Sequence, residues 1–511
     1  MTFQSSLLSI LIFLPIVGAL VVLFLPRGRV DVVRWTALSI AALEFVLALI
    51  LLSLYSQVVD SVFNTSPFLE KISWIPALGI DYSLNADGIS VLLVILTTLL
   101  SLICIAASFR IDNKVNNYMG FMLLLEAGML GVFLASNLFL FYIFWELMLI
   151  PAYFLVGSYG GERRIYAALK FVLFTSVGSL LMLAGIIGLS YYAKVASGNY
   201  TLDLDTLRTI TTHLDPTVQL WLFLAFAIAF AVKVPLFPFH SWLPDAYTQA
   251  PAPVTALLAG AMAKTGAYGF IRFCIPLFPS AAQSMAPIIN ILAIVGILYC
   301  ALLALVQTDL KRLVAYSSIS HLGVIMLGLF AFSRQGVIGS VLQMVNHGIT
   351  IAALFIIAGL IEEHTGTRRL SDFGGLARKM PVLATLTLIA SLSSLGLPGL
   401  NSFSGEFLAL LGAFRGNAVF GVLGTLVIIP AAWYMLRFFQ GVMQGPLQSE
   451  GHIGALIRKN GLRDIAMSDF VILLPLVILI FYIGLHPAPL TYLVNSTVTN
   501  VMQTFGNAFL S

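Results

Sequence analysis

Several ionisable residues stand inside long apolar runs, where a charge is costly. Glu126 lies in EAGMLGVFLAS, Glu146 in FYIFWELMLIP, Lys233 in FAVKVPLFPFH, Lys264 in LLAGAMAKTGAYGF and Glu406 in NSFSGEFLALL. His240, His321 and His347 add groups that titrate near neutral pH. A charged side chain at the centre of a bilayer costs about 2.5–3.5 kcal/mol even on the lenient insertion scale, so each needs a partner or a task. The task that amines, imidazoles and carboxyls share is proton exchange, and Ser317, Ser318, Ser320, Asn346 and Thr350 could hold bridging waters. A lysine and a carboxylate about 6 Å apart interact by about 2–3 kcal/mol at an effective dielectric near 20, so withdrawing the carboxylate favours release of the lysine's proton. A movement of Glu146 relative to Lys233 would therefore suffice for one transfer step.

Structural readings compete with this one. A lone membrane lysine can snorkel or lock helix packing, a lone histidine is more often a satisfied core residue, and Glu126 could simply bond a neighbouring helix. Lys233 stands out because a helix break follows it at once, and Glu146 because apolar residues flank it on both sides. GAMAKTGAYG also offers small residues for close helix contact. Lys170 and Arg437 fit snorkelling, and His213, His364, His452 and His486, in or near loops, receive no role. Cys104, Cys274 and Cys300 are far apart, no His/Cys cluster has metal-ligand spacing, and no GxGxxG or Walker A loop is present. No cofactor or metal is expected in this chain.

The elements that must position these groups are membrane helices. Hydrophobic residues make up 59% of the 511 and charged residues 9%, with a mean hydropathy of +1.00, so lipid is the expected solvent. The net charge of +4 is spread over short loops, which leaves nucleic-acid binding without support. The run from Ser5 to Leu25 lacks a basic n-region and a cleavage site and reads as a first membrane helix. Apolar runs predict about fourteen crossings, near 5–25, 33–57, 87–109, 115–134, 137–158, 164–193, 217–239, 252–273, 284–306, 312–332, 335–361, 381–413, 418–443 and 468–488. Alternate loops hold most of the basic residues, among them Arg27, Arg110, Arg163, Lys311, Arg368, Arg458 and Lys459. The opposite loops hold only Lys71, Lys194, Arg208, Arg272, Arg334 and Arg415. By the positive-inside rule both termini then lie on the outer, periplasmic or lumenal side.

Two of the predicted spans should be broken. Pro235 and Pro238 follow Lys233, and Gly396, Pro398, Gly399 and Gly405 precede Glu406. The two spans are five crossings apart and so run in opposite directions, the pattern of inverted repeats with discontinuous helices at an ion site. The expected organisation is an all-α polytopic membrane protein: 1–114 as three leading helices, 115–273 and 274–444 as two inverted five-helix repeats, and 445–511 as a loop and last helix.

The motifs FWELMLIP, KVPLFPFHSWLPDA, QAPAPVTALLAGAMAKTGAYG, DLKRLVAYSSISHLG and GLPGLNSFSGEF, spread over nearly the whole chain, resemble the antiporter-like membrane subunits of respiratory complex I. That superfamily also includes subunits of Mrp-type cation/proton antiporters. Glutamate at position 406, where the L- and N-type subunits have lysine, resembles the M-type subunits of NADH-quinone oxidoreductase. The resemblance implies Glu146 and Lys233 as a coupled pair, Lys264 as central relay, His240, His321 and His347 as bridging groups and Glu406 as exit-side carboxylate; Glu126 remains a further candidate from its position in an apolar run alone. It implies a proton-translocating, non-redox subunit of a bacterial plasma (inner) membrane enzyme, with NADH, FMN, iron-sulfur clusters and quinone in partner chains and L- and N-type subunits as neighbours. Two other readings stay open: the D-type subunit of an Mrp-type sodium/proton antiporter, and the corresponding subunit of a photosynthetic ferredoxin-plastoquinone oxidoreductase in a thylakoid membrane.

Overall fold

A computed structural model describes residues 6–59, 68–447, 453, 454, 456 and 461–503. Arg458, Lys459 and His452 lie outside the described residues, as do residue 5 of the first predicted helix and 504–511 of the last segment.

Among the described residues, 13 helices are long and apolar enough to cross a membrane. The first are α1 (Leu7–Phe24), α2 (Val30–Val58), α3 (Gly88–Ala107), α4 (Val115–Leu134), α5 (Leu138–Tyr159) and α6 (Arg164–Ser197). A short helix, α7 (Leu204–Thr211), leads to α8 (Pro216–Lys233), α9 (Trp242–Gln249) and α10 (Ala252–Leu277). Then come α11 (Pro279–Leu305), α12 (Leu310–Leu329), α13 (Arg334–Thr365), α14 (Pro381–Ser394) and α15 (Asn401–Gly416). The last are α16 (Ala418–Thr425) and α17 (Ile428–Met443), which together make one span, then α18 (Met467–Leu485) and α19 (Ala488–Gln503). α14 alone is short for a crossing. Together with α15 it forms the predicted broken span, with Leu395–Leu400 as the break.

Burial separates the inside of this bundle from its rim. The most apolar windows of α10 and α13 are 100% and 94% buried, against 33% for α2 and 28% for α18. The outer helices turn side chains such as Phe24, Trp35, Val195, Ile429 and Leu485 outward, as a lipid-facing rim requires.

Three features add detail to the expected all-helical pattern, one of them non-helical. Residues 70–84 form a two-stranded antiparallel hairpin, β1 (Glu70–Ile75) and β2 (Ile80–Leu84), turned at Gly79 with φ +63°. Its Glu70 accepts hydrogen bonds from the Leu8 and Ser9 amides at 2.8 and 3.1 Å and so caps the free N–H groups at the start of α1. The first broken span ends its helix at Lys233, at the expected break, because Pro235 and Pro238 cannot supply the amides a longer helix needs. Lastly, α19 lies beyond the predicted fourteenth crossing, and its Thr497 accepts the Gly88 N–H at 3.0 Å. The start of α1 thus meets the hairpin, and α19 the start of α3 that follows it.

The opposite face carries an ion-pair network. Arg110 bridges Glu363 (2.7 Å) and Asp469 (2.8 Å), Lys311 pairs with Glu362 (2.7 Å), and Lys170 and Arg312 share Asp245 (2.7 and 3.4 Å). Lys170 is therefore held by an ion pair rather than snorkelling, and Arg437 donates to the Leu305 carbonyl.

Candidate functional site

Four of the residues singled out by sequence meet in one line. Lys264 is fully buried in α10 between two wide π-helical turns, Leu258–Met262 and Phe270–Cys274. In the first of these the Ala263 amide bonds Leu258 O, one residue further back than an α-helix would have it. The Ala259 carbonyl instead accepts from Lys264 Nζ at 2.5 Å. Nζ also lies 2.8 Å from His347 Nδ1 on α13. Two glycines permit this approach: a Cβ at Gly348 would stand 2.7 Å from the Gly260 carbonyl oxygen, closer than any side chain allows.

From His347 the line continues to α12 and α15. The rings of His347 and His321 are 5.6 Å apart, centroid to centroid. His321 Nδ1 lies 2.5 Å from Glu406 Oε1, which also accepts from Gln343 Nε2 at 2.8 Å. The second break shapes this end. Gly396 has φ +77°, and a Cβ there would come within 3.0 Å of Glu406 Oε2, so only glycine suits both its backbone and its neighbour. Below the break Asn401 receives Ser393 (2.6 Å) and donates to the Asn346 carbonyl (3.0 Å), tying the two half-helices to α13. The space between His321 and His347, lined by Gln343, Thr350, Ser394 and Ser402, does not admit a water-sized sphere. Of the polar residues expected to hold waters, Ser317 and Ser320 bond helix carbonyls, and Asn346 and Thr350 are taken up by the Asn401 and Ser393 contacts. Ser318 alone has an unpartnered hydroxyl.

The other predicted residues stand apart. Among the described residues Lys233, 1% exposed, has no ion-pair partner. Its Nζ lies over the rings of Trp145 and Phe171 at 5.2 and 5.8 Å. Glu146 is near enough for its charge to act on Lys233 but not in contact with it, and Glu146 Oε1 has no hydrogen-bond partner. The predicted coupled pair is thus open here, because the aromatic rings occupy the ammonium's near surroundings. His240 lies off both groups, stacked on Phe237 (5.5 Å) and beside Tyr299 (5.7 Å), with Nδ1 unpartnered. Glu126 is fully buried with both oxygens unpartnered. Its neighbour Glu44 on α2, equally buried and unpartnered, is not among the residues that sequence singles out. The signal is there, a single carboxyl in AALEFVLALI, but it lies outside both broken-helix repeats. Gln343 and the Lys170–Asp245 pair are likewise unforeseen, since nothing local marks them.

Among the described residues no group of three or more His, Cys, Asp or Glu side chains could hold a metal. Comparison with known proteins gives the family. Residues 135–429 match the transmembrane family of NADH:quinone oxidoreductase and Mrp antiporter proteins. The chain is 39% identical over 504 residues to NADH-quinone oxidoreductase subunit M of Rickettsia bellii, covering 98% of this chain and 99% of that one. It is 38% identical to the protein of the same name from Rhodobacter capsulatus, with 98% and 97% covered. Among solved structures it superposes with a TM-score of 0.84 on a chain of respiratory complex I from Thermus thermophilus, at 32% identity, covering 98% of this chain and 100% of that one. A chain of the Mrp complex from Dietzia also gives a TM-score of 0.84 over the full length of both chains, at 22% identity, a likeness of fold. The chain belongs to the NADH:quinone oxidoreductase/Mrp antiporter transmembrane family.

Proposed function

We propose that this chain is the M-type, proton-translocating membrane-arm subunit of a bacterial NADH-quinone oxidoreductase. The observation that carries this reading is the line of Lys264, His347, His321 and Glu406, in which Lys264 meets His347 and His321 meets Glu406 directly while the two imidazole rings stand 5.6 Å apart. With Lys264 donating to His347 Nδ1, His347 carries its own proton on Nε2. His321, donating from Nδ1 to Glu406, leaves its Nε2 as the acceptor, which the Tyr434 and Ser394 hydroxyls approach at 3.4 and 3.5 Å. A proton arriving at His347 from Lys264 then releases one toward His321, and His321 releases one to Glu406. Each hop moves a proton by one side chain and leaves the imidazole behind it in the opposite tautomer, so a ring flip restores it before the next transfer. Lys233 is the feeding amine and Glu146 the carboxylate whose approach or withdrawal sets whether Lys233 holds its proton. In this reading 115–273 and 274–444 are the two repeats, both termini face the periplasm, the redox groups belong to partner chains, and the L- and N-type subunits flank this one.

The test compares quinone reduction and vesicle acidification in the assembled enzyme, native against Lys233→Ala at matched assembly. Both activities are expected to fall together. If redox-driven acidification is untouched while sodium/proton exchange disappears, the chain works as an Mrp-type antiporter subunit instead.

A further inference from the structure

The Lys264–Glu406 line and the Lys233 site use helices of the two repeats, yet a second intramembrane acid site joins the first repeat to α2, which lies outside both. Glu44 stands at the middle of α2 and Glu126 at the middle of α4, both fully buried on helices that pack together, and each is near enough for its charge to act on the other. None of their four carboxyl oxygens has a hydrogen-bond partner. Ser101 on α3 is fully buried with its own hydroxyl unpartnered, and it stands near enough to Glu126 to act on its carboxyl without reaching hydrogen-bond distance. The surroundings offer no counter-charge. α1 has no titratable side chain, and the membrane-buried titratable groups of α3 and α5 are Cys104, Glu146 and tyrosines. Lys264 of α10 is turned to His347.

An uncompensated buried carboxylate costs several kcal/mol, and two side by side add their mutual repulsion. Two bare anions are therefore excluded at this position, and hydrogen donors are what the unpartnered oxygens lack. We propose that Glu44 and Glu126 form a proton-binding carboxyl pair, with the Ser101 hydroxyl as its third member. The pair sits one helix layer behind Glu146. A Cβ at Gly128, two residues after Glu126, would come within 3.0 Å of the Met148 nitrogen, two residues after Glu146, so α4 and α5 touch at that height. The pair thus forms a lateral branch that can store a proton beside the Glu146–Lys233 site. That onward route rests on the function proposed above, whereas proton binding at the pair does not.

Infrared difference spectroscopy on the intact purified complex tests this, comparing the native chain with Glu44→Gln and with Glu44→Gln/Glu126→Gln. The variants are expected to lose a protonated-carboxyl C=O stretch, and in the native complex that stretch should shift in D2O. Loss of carboxylate stretches alone would mean that the pair is ionised, and would overturn the proposal. A protonated band that never shifts in D2O would mark a sealed structural acid, and would also overturn it. If the double variant does not assemble, Glu44→Gln alone still removes one carbonyl of the pair and gives the same reading. Lys233→Ala should leave the band in place, so failure of the relay and failure of the pair are separate results.

Discussion

The same sequence device, a broken helix next to an ionisable residue, has two different outcomes in the two halves of this protein. At the first break Lys233 is left alone beneath two aromatic rings, with Glu146 acting on it only through space. At the second break Glu406 bonds His321, whose ring stands 5.6 Å from that of His347, which in turn meets Lys264, so the line draws on four helices. An interaction through space at an effective dielectric near 20 varies smoothly with distance, so a small helix shift tunes it. A hydrogen bond is nearly all or none over the same shift. The first half is therefore suited to sensing a displacement, and the second to passing a proton once it arrives.

The largest expected effect comes from cutting the contact line. Lys264→Met keeps the volume but removes the donor to His347, and proton transport should fall about a hundredfold, the low end of what a positioned proton-transfer group contributes. Vesicle acidification at matched assembly measures it. Retention of most of the transport would mean that the line is structural and that the contrast between the halves fails. Glu146→Gln should cost less, about tenfold, because it removes an interaction through space that is worth only a unit or two of proton affinity. A loss equal to that of Lys264→Met would show that Glu146 carries the proton itself.

Gly396→Ala sharpens the second half alone. The positive φ and the contact with Glu406 should together lower stability by about 1–3 kcal/mol, read as a lower thermal midpoint of the complex. An unchanged midpoint would mean that the break relaxes freely. The smallest effect belongs to the outer hairpin, away from both halves. Half-burial opposes ionisation of Asp203, but the Thr206 amide and the Lys71 ammonium outweigh it and hold its carboxyl below the usual range. A depressed carboxyl contributes stability above its ordinary value, about pH 4, and loses it as the pH falls toward the lowered one. Hydrogen exchange of the hairpin amides should therefore accelerate only in that acid window, while α13 stays protected. Acceleration already near neutral pH would contradict the ion pair's role.

Much of this architecture is legible in the order of the residues. The composition, the apolar runs and the prolines after Lys233 announce a membrane bundle with two discontinuous spans, because bilayer thickness and the missing proline amide act locally along the chain. The hairpin at 70–84 is not legible there, since its stability comes from pairing and from Glu70 capping a helix some sixty residues earlier. Glu44 gives no stronger local signal than its apolar run, which looks like that of Glu146. Only its partner Glu126, on another helix, distinguishes it.

By itself, then, the sequence determined which residues would be stranded in the membrane and where the helices would break. Both follow from transfer energies and backbone chemistry that depend on near neighbours. Which stranded groups touch was decided by the tertiary structure. His347 meets Lys264 across 83 residues and His321 meets Glu406 across 85, while Glu146 and Lys233 stay apart. Contact between helices is set by small residues such as Gly260 and Gly348 and by rings such as Trp145, whose effect appears only once the helices pack.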